Sequence, residues 1–320
     1  MMKILANDGL GSAGSETLRN AGFTLVTEKV EQENLIDEIN KNKYDALLVR
    51  SATNITKELI DSCKSIKLIA RVGTGMDHIQ VEYAMEKGIK VLSTPLESSP
   101  AVAELVFAHL FSINRRLFDS NRNLHRNIND FKIFKKRYKD GTELNGKTIG
   151  IMGFGRIGQE VAKRALGLGM NVLAYDKFID DVTIKLLIPN LKPIFISIET
   201  KSLEIVLKNS DFITLHLPFS FNQKSIITKN EINMMKEGAI LINASKGGVI
   251  DEDDLIEALK SGKISHAGLD VFCDEPHPRK DLIELENVSI TPHVGGATIE
   301  AQERISITLS EQIIMFFNKI

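Results

Sequence analysis

The sequence predicts an α/β fold built from two doubly wound units with parallel sheets. Short apolar runs bounded by turns alternate with amphipathic stretches through the first hundred residues, the pattern of strands joined by crossover helices. The alternation lapses between Phe118 and Gly146 and restarts at Lys147. A chain of 320 residues is also long enough for two domains rather than one.

The strands of the first unit are expected at "KILA" (3–6), "TLVT" (24–27), "ALLV" (46–49), "KLIA" (67–70) and "IKVL" (89–92), with amphipathic helices at 15–21 and 32–40. After "STPLESSP" (93–100) comes "AVAELVFAHLFSINRRL", a helical pattern uninterrupted by Gly or Pro that joins the units. The second unit offers "KTIGIMGFG", "NVLAYD" (171–176), "DFITLHLP" (211–218), "AILINAS" (239–245), "HAGLDVF" (266–272) and "NVSITPH" (287–293). The last stretch, 298–320, is amphipathic and helical. The pattern does not show to which unit it returns.

Composition excludes several functions. Lys and Arg total 40 against 42 Asp and Glu, so no global charge draws the chain to nucleic acid or an anionic membrane. The opening "MMKILAND" is too short an apolar run for a signal peptide and reads as a first strand. No apolar stretch approaches the length of a membrane span. Cys63 and Cys273 make neither a metal spacing nor a disulfide framework. A soluble, reduced, cytoplasmic protein without metal is expected. The 118–146 segment interleaves Arg122, Arg126, Lys132, Lys135, Lys136 and Arg137 with Phe131, Phe134 and Tyr138. Such a mixture can bind single strands of nucleic acid, but with a balanced charge and no nucleic-acid motif it reads as a solvated arm or one that packs on a second subunit.

Two local patterns point to chemistry. "TIGIMGFGRIGQEVAKRA" places Gly153, Gly155 and Gly158 in G-x-G-x-x-G spacing after a strand and at the start of a helix. Asp176 closes the next strand, 18 residues after Gly158, near the ~20 expected of a dinucleotide site. There Gly153 allows the tight turn, Gly155 lets backbone approach a pyrophosphate and Gly158 lets helix pack on strand. Asp176 would accept hydrogen bonds from a ribose diol and repel a 2′-phosphate, favouring NAD over NADP; Lys177 beside it softens that preference. A tight strand-to-helix turn without ligand is the plainer alternative.

The second pattern is a set of ionisable residues just past strand ends, where doubly wound sheets collect ligands. Lys246 follows "AILINAS" and precedes a Gly247-Gly248 turn, with Asp251 placed to cap the next helix. A lysine on that lip is costly unless an anion sits opposite. Glu275 follows "HAGLDVFCD" and His293 follows "NVSITP". An imidazole can relay the proton that accompanies hydride transfer, a carboxylate can orient it, and a fixed cation can hold a substrate carboxylate. Each residue taken singly also has a structural reading, as the six other histidines of the chain illustrate.

The chain resembles the D-2-hydroxyacid dehydrogenases. "RSATNIT" (50–56), "RVGTGMDHI" (71–79), "AVAELV" (101–106), "LNGKTIGIMGFGRIG" (144–158), "TLHLP" (214–218), "MKEGAILINASKGGVIDEDDL" (235–255), "GLDVFCDEP" (268–276) and "TPHVGGATIEAQER" (291–304) match in order over nearly the whole length. The match is strongest with the phosphoglycerate branch. The resemblance implies Rossmann-like and flavodoxin-like domains: a substrate-binding domain split between 1–98 and 294–320 around an NAD-binding domain at 99–293. It implies NAD as cofactor, a homodimer in which the 118–146 arm takes part, and His293 as acid/base with Glu275 as its partner. Lys246 stands where most members carry arginine, keeping the charge and losing the bidentate fork. Backbone N–H groups of Thr74 and Gly75 are implied for the substrate carboxylate, and Arg50 and Arg71 for a phosphate. Cofactor contacts map to Gly153, Gly155, Arg156, Ile157, Gly158 and Asp176. Leu217, Ala244, Ser245, Asp270, Gly295 and Gly296 fall near the adenosine ribose and nicotinamide.

The implied reaction is oxidation of D-3-phosphoglycerate to 3-phosphohydroxypyruvate, the entry to serine synthesis. Two departures qualify it. The chain is expected to lack the C-terminal regulatory domain that many phosphoglycerate dehydrogenases carry, and "ESSP" at 97–100 replaces the commoner Asn-Ser pairing. Glyoxylate or hydroxypyruvate reduction is the alternative within the class, and an NAD-sensing scaffold of the same fold is the alternative outside it. Retention of His293, Glu275 and a cation at 246 argues for an enzyme.

Overall fold

Strands buried on both faces must be apolar at nearly every position, and the four- and five-residue apolar runs of this chain become such strands. In the computed structural model, which describes residues 2–73, 75–76, 78–219 and 223–319, two units emerge: Met1–Ser99 with Gly296–Ile320, and Pro100–Gly295.

The first unit runs β1 (Lys3–Ala6), α1 (Ser12–Asn20), β2 (Thr24–Val26), α2 (Leu35–Asn42), β3 (Ala46–Val49), α3 (Lys57–Ser62), β4 (Leu68–Arg71), α4 (Val81–Glu86) and β5 (Lys90–Ser93). The sheet order is β2-β1-β3-β4-β5, parallel throughout. Central strand β3 shows why helices are needed on both sides. Leu47 and Val49 pack in one core with Leu35, Ile39 and Leu59 of α2 and α3. Ala46 and Leu48 pack in another core with Leu18 of α1. The order reverses between β1 and β3, so the segments after them, at Asp8 and Arg50, lie at the switch point where such sheets bind ligands.

The second unit begins with α5 (Ser99–Asn114), α6 (Leu117–Arg126) and α7 (Phe131–Arg137). There follow β6 (Thr148–Met152), α8 (Arg156–Gly167), β7 (Asn171–Tyr175), β8 (Asp181–Leu186), β9 (Ile194–Glu199), α9 (Leu203–Asn209) and β10 (Phe212–Leu215). The unit closes with α10 (Lys229–Met234), β11 (Ala239–Asn243), α11 (Glu252–Ser261), β12 (Ile264–Leu269), α12 (Lys280–Ile283) and β13 (Val288–Ile290). Its six-stranded sheet is parallel in the order β13-β12-β11-β10-β6-β7, with the reversal between β6 and β10. Beyond β7, where a dinucleotide fold has one more strand, the described residues show a parallel bridge from Ala174 to Thr200.

Three features differ from the sequence pattern. The helical run 101–117 breaks after Asn114, because Arg116 adopts a left-handed conformation at φ +49°. The 118–146 segment holds helices α6 and α7, neither with a buried residue, which its polar and basic character with few periodic apolar positions did not announce. And β8 and β9 form an antiparallel hairpin that the strand pattern did not include.

The final helix, α13 (Ile299–Phe317), lies against α1 in the first unit. It contributes Ile305, Leu309, Ile313 and Phe317 to the core that holds Leu18 and Leu48. Gly11 and Gly14 make the approach possible: a Cβ on Gly14 would stand 2.4 Å from the Ser306 carbonyl oxygen, and the Ser310 hydroxyl donates to the Gly14 carbonyl at 3.0 Å. No described helix is long and apolar enough to cross a membrane.

Candidate active site

The glycine loop after β6 is shaped by close backbone approaches. Gly153 has φ +91°, and a Cβ there would lie 2.3 Å from the His216 carbonyl oxygen just past β10. A Cβ on Gly158 would lie 2.2 Å from the Gly153 carbonyl oxygen, so only glycine lets α8 start this close to its strand. Gly155 is the opposite case. It is the N-cap of α8, no side chain caps that end, and nothing stands within 4 Å of where its Cβ would be. Open space beside helix N–H groups is what a pyrophosphate requires, so the loop fits a dinucleotide. Ile157 packs its side chain into the core and leaves only its backbone for a ligand, while Arg156 is exposed. Leu217 packs on the other core of the unit. Asp176 accepts the Phe154 N–H on one oxygen (2.7 Å) and the Phe178 N–H on the other (2.9 Å), fastening the end of β7 to the glycine loop.

The turn bearing Lys246 is set by a residue that sequence reasoning missed. Asn243, 3% exposed at the end of β11, accepts from the Ser245 N–H (3.1 Å) and hydroxyl (2.8 Å) and donates to the Lys246 carbonyl (3.0 Å). Asn at a strand end is an Asx-turn signal, and that signal was there to be read. Ala244 is buried and Lys246 half-buried. Gly247 is pressed against the next loop, since a Cβ there would fall 1.8 Å from the Phe272 carbonyl oxygen. This contact sets the Lys246 turn beside the loop that carries Glu275. Asp251 caps α11, accepting from Asp253 and Asp254 N–H.

Glu275 and His293 meet. Glu275 Oε2 lies 2.7 Å from His293 Nδ1, and Oε1 accepts the Phe272 N–H at 2.9 Å. An ionised carboxylate only accepts, so Nδ1 carries the proton and the neutral ring presents an unprotonated Nε2. The imidazole is about half exposed, at 49%. Burial pushes His216 down to about 3 and lowers His109 and His266, which favours the neutral form of those three rings.

His293 is held at φ +54°, a left-handed conformation that a non-glycine residue adopts only when its surroundings impose it. Asp270, 1% exposed, imposes it. Its carboxylate accepts from the Thr291 hydroxyl (2.6 Å) and from the N–H groups of Val294 and Gly295 (2.8 Å each), on both sides of His293. Thr291 was not singled out by the sequence, where it looks like strand filler.

Within the first unit, Asp8 accepts the Arg50 N–H at 2.7 Å and the Thr53 hydroxyl at 2.9 Å, and pairs with Lys29. Burial raises the pKa of Asp8, but these donors outweigh it and hold the carboxyl below its ordinary value. Arg50 Nε is buried and meets no acceptor among the described residues. Arg71 Nε donates to the Gly75 carbonyl at 2.8 Å, so part of its fork organises its own loop. Thr74 lies outside the described residues. Gly296 sits against Ser98, whose Cβ would be 3.2 Å from an added Cβ.

The chain has relatives among known proteins. The family model for the D-isomer specific 2-hydroxyacid dehydrogenase NAD-binding domain matches residues 107–295. The chain is 42% identical to the hydroxypyruvate reductase of Thermotoga maritima, over 97% of each protein. It is 40% identical to the D-3-phosphoglycerate dehydrogenase of Methanocaldococcus jannaschii, covering 98% of this chain and 57% of that one, so it spans little more than half of that relative's length. Among solved structures, NAD+-bound 3-phosphoglycerate dehydrogenase of Entamoeba histolytica superposes with a TM-score of 0.75 at 26% identity, over 99% of this chain and 95% of that one.

Proposed function

The chain belongs to the D-isomer specific 2-hydroxyacid dehydrogenase family, and from that premise we propose that it oxidises D-3-phosphoglycerate to 3-phosphohydroxypyruvate with NAD, feeding serine synthesis. The phosphate is assigned to Arg50. Its backbone is fixed by Asp8, and its buried Nε lacks an acceptor among the described residues, an arrangement that favours an anionic ligand because an unmet buried donor is costly. That observation carries the choice of a phosphorylated substrate.

The chemistry follows from the residues of the second unit. Glu275 holds His293 Nδ1–H, so Nε2 takes the proton of the C2 hydroxyl as the hydride leaves C2. NAD, when bound, supplies the hydride acceptor. Lys246 holds the substrate carboxylate and steadies the charge on the C2 oxygen as it becomes a carbonyl. Asp270 keeps His293 in its left-handed pose throughout. In the reverse direction the same imidazole, protonated, returns the proton.

Reduction of unphosphorylated hydroxypyruvate is the second reading, favoured by the 42% identity to the Thermotoga protein across both chains. Initial rates with NADH and phosphohydroxypyruvate, hydroxypyruvate or glyoxylate separate the two. The first reading requires the largest kcat/KM with phosphohydroxypyruvate. A larger value with hydroxypyruvate would transfer the assignment to the second, and no turnover with any 2-oxo acid would leave a scaffold.

A further inference from the structure

A histidine inside an apolar helix is expensive to bury unless both ring nitrogens find partners. His109 lies on α5 and is 3% exposed. Its ring has room because residue 268 of β12 is glycine: a Cβ there would stand 2.9 Å from His109 Cβ and 3.0 Å from Cγ. The niche places Nδ1 2.9 Å from the Ser289 hydroxyl and Nε2 3.2 Å from the Thr291 hydroxyl.

The proton inventory fixes the direction of every bond. Thr291 has one hydroxyl proton, and Asp270 takes it at 2.6 Å. Its oxygen can therefore only accept from His109, so Nε2 carries the ring proton and Nδ1 accepts from Ser289. The chain runs one way, from Ser289 through His109 and Thr291 to the Asp270 carboxylate, and bonds aligned in this sense reinforce one another. The same carboxylate grips the N–H groups of Val294 and Gly295, which directly follow His293.

We propose that His109 is a positioning residue for His293, acting through Thr291 and Asp270 to hold the acid/base ring in its left-handed pose. The inference rests on the dehydrogenase reading above. It assigns a catalytic consequence to a buried ring that touches neither substrate nor cofactor. It also explains why position 268 is glycine: a methyl group there would close the niche.

Substitutions at 109 separate positioning from packing. The amide of glutamine can put an N–H near the place of Nε2, asparagine can put an acceptor near the place of Nδ1, and leucine supplies neither. In the full-length protein, His109→Leu and His109→Asn should lower kcat toward the roughly 10²-fold loss that an ångström of misplacement costs. KM for NADH and NADH binding by fluorescence should stay near native. His109→Gln should recover most of the turnover. Thr291→Ser and Thr291→Val form a second pair, of which only Ser should keep activity. Native turnover in His109→Leu would overturn the inference, as would equal losses in all three variants that follow their melting temperatures. A His293→Ala variant with native turnover would instead remove the dehydrogenase reading itself, so the two failures are distinguishable.

Discussion

Glu275 divides its carboxylate between two tasks, bonding His293 Nδ1 at 2.7 Å with one oxygen and the Phe272 N–H at 2.9 Å with the other. The residue orients the imidazole and is itself oriented. His293→Ala should therefore lower kcat by about 10²-fold or more while NADH binding stays native, because the ring handles the proton and not the dinucleotide. Glu275→Gln can still accept one bond but not both, and should fall between the native enzyme and His293→Ala. Steady-state rates with NADH titrations check both. An alanine variant with native turnover would end the assignment.

Lys246 lies in a turn held by Asn243 and Gly247. Lys246→Met should reduce kcat/KM by about 10²–10³-fold with little loss of thermal stability. Lys246→Arg keeps the charge and adds a bidentate fork, so its activity should lie well above Met. An arginine variant as inactive as the methionine one would point to proton chemistry at lysine instead of a fixed charge.

Arg50→Ala should raise KM for phosphohydroxypyruvate sharply and leave the reaction with hydroxypyruvate nearly unchanged, since a charge-assisted contact can be lost only by the substrate that makes it. Equal losses with both substrates would make Arg50 structural.

Asp176 should make NAD(H) the preferred cofactor, by repelling a 2′-phosphate. Since its two oxygens already hold Phe154 and Phe178, Asp176→Ala should narrow the preference chiefly by weakening NAD, not by creating a site for NADP. Comparing kcat/KM for the two cofactors tests this, and equal values in the native protein would refute it.

Asp8 links stability to pH. Its folded pKa lies below the ordinary 3.8 because Lys29, Thr53 and the Arg50 N–H outweigh the effect of burial. A depressed carboxyl stabilises the fold above its unfolded pKa, and that contribution disappears as pH falls through the lower folded value. Asp8→Asn should cost about 2 kcal/mol at pH 7, the scale of a charge-assisted bond. The gap should close in acid below pH 3.8. Denaturant melts at pH 7 and pH 3 measure it, and a gap that does not shrink in acid would refute the linkage.

The strands were legible because burial on both faces leaves the chain little choice: β3 and β11 are buried at every position, and all but the final Asn243 of β11 are apolar. The glycine loop was legible because its spacing encodes backbone collisions. The β8–β9 hairpin was not, for Phe195, Ile194 and Leu187 are exposed and blur the alternation that would mark its inner face. Helices α6 and α7 bury nothing, and their few apolar positions are outnumbered by polar and basic ones. At the site, the charged groups stood out by type and place. Thr291 and His109 did not, since their work is to hold backbone and neighbours, and Asn243 showed itself only by the weaker signal of an Asx turn at a strand end.

The last helix sets a timetable for synthesis. Leu18, Leu48 and Leu68 share a core with Ile305, Leu309 and Ile313, and the bond from Ser310 to Gly14 spans 296 residues. A ribosome adding 5–20 residues per second needs roughly 15–60 s to cover that distance. For the part of that interval after β5 is made, the sheet of the first unit lacks the cover that α13 gives one of its sides, while the chain from Pro100 to Gly295 holds all the strands of its own sheet and can fold as it emerges. Residues made long before α13 are thus sealed only when it arrives, and until then the newborn polypeptide offers chaperones a binding surface.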